Sequence, residues 1–88
     1  MKVFYEASFE KDLKKIDDQK IFNKIRELIS LVKISDSISD MKNIKKLHGN
    51  KSFYRIRIGD YRIGFECVED TIVFVRALHR KDIYKYFP

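Results

Sequence analysis

Apolar residues recur with one period in the first third of this 88-residue chain and with another in its second half. Val3 to Ala7 is a short strand-like opening, and Ser8 follows where a helix N-cap would stand. Phe9, Leu13 and Ile16 then fall at helical spacing, with Lys11, Asp12, Lys14 and Lys15 filling the other faces. Past the polar residues 17–19, Ile21, Ile25, Leu28, Ile29 and Val32 lie at i, i+4, i+7, i+8 and i+11, one buried stripe. The pattern predicts two amphipathic helices joined by a tight polar turn, an αα-hairpin. Residues 35–43 break that pattern and read as a connector.

From Phe53 onward the period is two. In the first strand Tyr54, Ile56 and Ile58 point one way while Arg55 and Arg57 point the other; Gly59-Asp60 makes the turn of a hairpin. In the return strand, Tyr61 to Val68, the apolar set is Tyr61, Ile63, Phe65 and Cys67, which leaves Arg62, Gly64 and Glu66 opposite. After a turn at Glu69-Asp70, Thr71 to Leu78 is apolar on both faces, through Val73, Val75 and Ala77 and through Ile72, Phe74 and Leu78. Such a strand belongs in the interior of a sheet, and Arg76 interrupts its second set, where it can join the other arginines. The order β-α-α-β-β-β plus a short carboxyl-terminal segment predicts an α+β fold: one domain, residues 1–88, with a small antiparallel sheet packed against the αα-hairpin. The helices cover the apolar face and the arginine face stays open.

Charge changes the picture by pointing to partners. Nineteen Lys+Arg against thirteen Asp+Glu leave +6 on a small surface, which favours a polyanion or an acidic protein without choosing between them. Cys67, the only cysteine, excludes an intrachain disulfide and sits at an alternating apolar position, so it reads as a core thiol. No apolar run reaches the length of a signal peptide or a membrane span, so a cytoplasmic protein without membrane contact is expected. His48 and His79 are the only histidines and stand near no carboxylate cluster at ligand spacing, and glycines 49, 59 and 64 form no phosphate-binding motif. The sequence thus implies neither metal nor cofactor, and it holds no constellation of a serine or cysteine hydrolase.

The remaining candidate chemistry is cationic. Lysine outnumbers arginine thirteen to six in the chain, yet the hairpin uses arginine alone at Arg55, Arg57 and Arg62. On one reading these are the solvated residues that alternation demands. On the other they are a row of guanidinium groups suited to bidentate anion recognition. His79, Arg80 and Tyr84 follow the last strand; singly they read as an end cap and edge packing, but beside an arginine face they suit a phosphodiester. Lys42, Lys45, Lys46 and Lys51 extend the positive field. Phe53, Tyr61, Tyr84, Tyr86 and Phe87 can stack bases or belong to the core and its rim.

The segments KKLHG (45–49), YRIRIGDYRIGF (54–65) and HRKDIY (79–84), together with the opening strand and helical hairpin, resemble the RelE/ParE superfamily of toxins from prokaryotic toxin-antitoxin pairs. The resemblance implies a fold like that of a microbial ribonuclease in outline. It also implies a cognate antitoxin and, in the RelE branch, metal-independent cutting of mRNA on the ribosome. Carried over by position, Arg55 and Arg57 match the paired basic residues of the RelE hairpin, Arg62 the arginine after its turn, and Arg80 and Tyr84 the basic residue and tyrosine of the terminal segment. Arg62, with Arg55 or Arg57, is then expected to stabilise phosphorane charge and Tyr84 to act as general base, while Arg80 or His79 protonates the leaving oxygen. Lys45, Lys46, Lys51, Arg76 and Lys81 are the expected RNA contacts. A ParE-like gyrase inhibitor needs no such tyrosine, and a degenerate relative would only bind its antitoxin; HRKDIY favours the RelE branch.

Overall fold

Helices α1 (Ala7–Lys14) and α2 (Gln19–Ile34) cover one face of a five-stranded sheet in a computed structural model that describes residues 1–47, 49 and 52–88. The strands β1 (Lys2–Tyr5), β2 (Ile44–Lys46), β3 (Phe53–Ile58), β4 (Tyr61–Val68) and β5 (Thr71–His79) lie in the order β1-β5-β4-β3-β2, and a short helix α3 (Ile83–Tyr86) follows. No helix among the described residues is long and apolar enough to cross a membrane.

The helical stripe read from the sequence is the core. Phe9, Ile21, Ile25 and Val32 pack against Ile56, Ile63, Phe65, Ile72 and Phe74 of the sheet, all of them buried. Each such side chain contributes about 1.5–3 kcal/mol by leaving water. Truncating a fully buried ring such as Phe74 would cost about 3–5 kcal/mol. Helix α2 starts where Asp18 accepts from the backbone N–H groups of Lys20 (2.9 Å) and Ile21 (3.3 Å), satisfying donors that the first turn leaves free. Helix α1 starts differently from the sequence expectation. Its N-cap is Glu6, with no side-chain cap, and Ser8 lies inside the first turn, where its Oγ donates to the carbonyl of Val75 at 2.7 Å.

That bond belongs to a larger arrangement along the β5 edge. β2 to β5 are antiparallel as the hairpin pattern predicts, whereas β1 joins the far side of β5 in parallel, Lys2 opposite Thr71 and Tyr5 opposite Phe74. β1 ends there, and α1 continues along the same edge. Ser8 takes over the Val75 carbonyl, and one helical turn on, Asp12 accepts the Ala77 N–H at 3.0 Å. Two side chains at i, i+4 thus satisfy strand groups that would otherwise face the buried flank of a helix.

β5 carries a bulge. Phe65 pairs with Phe74 but Gly64 with Arg76, so Val75 is the extra residue and the alternation of the strand reverses there. Ala77 therefore joins Ile72 and Phe74 on the helix face, and Leu78 lies with Arg62 on the other, the reverse of their assignment by simple alternation. That other face is partly covered. Ile83 and Phe87 are buried outside the main core, and Phe87 meets Phe53 edge-on with ring centroids 5.5 Å apart.

Candidate functional site

The β3–β4 hairpin sets the site. Gly59 opens its two-residue turn at φ +56°, a backbone region where a side chain is strained. This turn fixes the register that places Arg57 directly opposite Arg62 and Arg55 opposite Gly64, while β2 places Lys45 opposite Arg55. The four cations consequently share one face of three adjacent strands. They line an open cleft of ≈ 360 Å³ together with Asn43, Ile44 and Tyr84, and no carboxylate lines it. Among the described residues the ion pairs are Arg76–Asp12 and Arg80–Asp60, so Arg55, Arg57 and Arg62 have no carboxylate partner.

Like charges opposed across a ladder repel. Arg62 turns back toward the hairpin turn, where its Nη1 donates to the carbonyls of Gly59 (2.9 Å) and Tyr61 (3.0 Å). A phosphate between Arg57 and Arg62 would relieve that repulsion and offer both guanidinium forks a better acceptor. Tyr84 enters the cleft from α3. Its neighbour Ile83 is fully buried and anchors the helix, which leaves Tyr84 72% exposed with its ring under the guanidinium of Arg55, Cζ 4.5 Å from the ring centroid.

Other sequence candidates lie elsewhere. His79 pairs with Tyr61 on the helix face, edge-on at 5.8 Å, and its Nδ1 accepts the Lys81 N–H at 3.2 Å. There it lines a separate pocket of ≈ 160 Å³ with Lys15 and Asp82, across the sheet from Arg62. Arg80 is exposed beside the hairpin turn, with Nε 3.8 Å from Asp60 Oδ1. Lys46 pairs with Tyr54 on the helix side, Lys81 is exposed in the turn before α3, and Lys51 and His48 fall outside the described residues.

Arg76 is engaged with Asp12. Its Nε and Nη2 donate to the two carboxylate oxygens at 2.7 and 3.0 Å, and its guanidinium stands 5.5 Å from the centre of the Tyr86 ring. The hydrogen bonds that Arg76 donates to the Asp12 carboxylate hold its pKa above the ordinary value. Two residues that sequence reasoning did not single out matter here. Asp12 looked like one more solvated residue of α1, but it is buried; Asn43, read as connector, lines the cleft. Asn43 left one sequence signal, being a residue type that tolerates the left-handed backbone it adopts at φ 60°.

Residues 3–84 match the family described as the ParE toxin of the type II toxin-antitoxin system, parDE. Over their full lengths the chain is 48% identical to Toxin RelE3 of Methanocaldococcus jannaschii. The fold matches RelE in the crystal structure of a RelB-RelE antitoxin-toxin complex from Methanococcus jannaschii with a TM-score of 0.84 and 44% identity, covering 97% of this chain and 99% of that one. A YoeB dimer from Staphylococcus aureus shares the fold alone, at TM-score 0.71 and 18% identity over 90% of this chain and 95% of that one. The chain belongs to the RelE/ParE superfamily and is RelE-like.

Proposed function

We propose that this toxin is a ribosome-dependent endoribonuclease of mRNA, neutralised by a cognate antitoxin. The observation that carries the reading is the seating of Tyr84 on Arg55 at the wall of a cleft that holds Lys45, Arg57 and Arg62 and no carboxylate. A scissile phosphate between Arg57 and Arg62 brings its ribose to that wall. Tyr84 acts as general base toward the 2′-OH; the 2′-oxygen attacks phosphorus and the 5′-oxygen leaves, giving a 2′,3′-cyclic phosphate and a free 5′-OH. Arg62 with Arg55 or Arg57 neutralises the charge that develops on the phosphorane, the contribution that is usually largest. Water protonates the leaving oxygen, since neither His79 nor Arg80 lines the cleft. DNA, lacking the 2′-OH, is inert.

The ribosome as the place of cutting, and mRNA as the RNA, come from the RelE-like relationship rather than from the cleft. The antitoxin follows from the same source, because the RelE of Methanococcus jannaschii was crystallised with RelB. An acidic or amphipathic segment laid over the cations would complement the cleft and block RNA. The test is translation in a purified cell-free system, with mRNA ends mapped by primer extension for wild type, Tyr84→Phe and Arg62→Ala. New ends within translated codons that vanish in both variants support the reading. Intact mRNA with wild-type protein overturns it in favour of gyrase inhibition, which the ParE description of the matched family keeps in view, or of an inert antitoxin-binding domain.

A further inference from the structure

The cations of the cleft suit phosphate, and phosphate contacts position a strand without reading it. One lining residue is different. Among the described residues that line the cleft, Asn43 is the only amide, with a donor and an acceptor side by side in one plane, and it has no side-chain partner among the described residues. Its backbone is held: its carbonyl accepts from the Arg57 N–H at 3.2 Å, which ties it to the strand that bears the arginines.

Asn43 also lines a second pocket, of ≈ 480 Å³, and Arg57 is shared in the same way. This pocket lies round the edge of the sheet between α2 and β3. Leu28, Leu31, Ile56 and Ile58 give it apolar walls, and its charged lining includes Glu27 and Asp40. A strand whose phosphate rests on Arg57 therefore has an apolar space beside it, entered past the Asn43 amide. Single-stranded RNA offers bases that can be splayed into such a space, with an apolar face to pack and a polar edge to be read.

We propose that this pocket is a nucleobase subsite for the RNA whose phosphate lies in the arginine cleft, with Asn43 reading an adenine; the inference rests on the ribonuclease reading above. An amide presents the donor and acceptor that match adenine N7 and N6 in a bidentate pair. Glu27 and Asp40 add acceptors only, which suits an exocyclic amino group and opposes the carbonyl edge of uracil. Leu28 and Leu31 supply the surface on which the ring packs.

The test uses the full chain carrying Tyr84→Phe, so that bound RNA is not cut, and pentauridine labelled with a fluorophore in which the central base is A, C, G or U. The adenine probe binds about tenfold tighter than all-uridine RNA, the size of one good bidentate contact. Adding Asn43→Gly, which suits the positive φ and removes only the amide, brings the two within about twofold. Leu31→Ser, at an exposed edge of the pocket, reduces the same ratio. Equal affinity for all four probes, a preference for another base, or a preference that survives Asn43→Gly overturns the subsite and leaves the ribonuclease reading standing. Failure of every probe to bind, with mRNA intact in the translation assay, removes both.

Discussion

Phe87 packs so closely on Gly64 that a Cβ added to the glycine would meet its ring at 2.6 Å. Gly64 is the strand position opposite Arg55, and Phe87 closes α3, whose first turn carries Tyr84 into the cleft. The missing side chain in β4 is thus what seats the terminal segment beside the arginines. Gly64→Ala is expected to push Phe87 off and to cost about 1–3 kcal/mol through overpacking. In a chain of this size that lowers the melting temperature by about 4–8 °C for each kcal/mol. RNA cutting should fall further than melting explains, because Tyr84 moves with the helix; a variant that melts early but cuts at the wild-type rate at low temperature would disconnect α3 from the site.

Arg57 and Arg62 stand opposite one another without a carboxylate between them. Such a pair trades stability for anion binding, so Arg57→Thr is expected to stabilise the free protein by about 0.2–1 kcal/mol at low ionic strength. Salt should erase the gain, since it screens exposed charges. The same substitution weakens RNA and lowers the slope of log affinity against log salt by about 0.7, one phosphate contact on a single strand. Melting curves at two salt concentrations and an RNA titration series check both halves. A variant destabilised at low salt would show that Arg57 packs rather than repels.

The pH prediction concerns Cys67, whose thiol is pushed above its ordinary value by burial. Its charged form is disfavoured in the folded chain, so the contribution to stability is whole below the ordinary thiol range and is lost as pH rises through the higher folded value. Alkylation by iodoacetamide at pH 8.5 should therefore be several-fold slower in the native protein than in denaturant, with the gap closing toward higher pH. Equal rates at pH 8.5 would place the thiolate in water. A Cys67→Ala variant, with no thiolate to bury, should lose less stability between pH 8 and 10 than wild type.

The parts of the fold that were legible in the sequence were those governed by a local period. Alternation from Tyr54 to Phe65 put Arg55, Arg57 and Arg62 on one face, and the structure keeps them there because the turn and hairpin register are set within a dozen residues. What the sequence did not show depends on distant pairing. Nothing in Val3 to Tyr5 says that their neighbour is β5 or that they run parallel to it, and nothing in VFVRALH marks Val75 as the extra residue that reverses the strand. The same reversal explains Asp12. Its burial follows from α1 lying along an edge whose Ala77 N–H and Arg76 guanidinium need an acceptor, which no helical wheel of residues 7–14 contains. His79 was grouped with the arginines by nearness in sequence, but an odd offset along β5 puts it opposite Tyr61 on the helix side.

The ring and the hydroxyl of Tyr84 have separate duties, and two substitutions part them. The ring supplies the face under the Arg55 guanidinium at 4.5 Å, an exposed contact of about 0.5–1 kcal/mol that holds the cation in the cleft. Tyr84→Phe keeps that face and removes only the oxygen, so RNA affinity and melting should stay within about twofold and 1 °C of wild type, since surface changes of this kind are small. Cutting should fall by about 10²–10⁴, the usual contribution of a positioned base. Tyr84→Ala removes both duties, and it should lose RNA affinity in addition, by an amount that also disappears when Arg55 is replaced by alanine. Single-turnover cutting and equilibrium binding, measured on the same RNA, separate the two effects. If Tyr84→Phe cuts as fast as wild type, the hydroxyl is idle, and the tyrosine is there to hold Arg55.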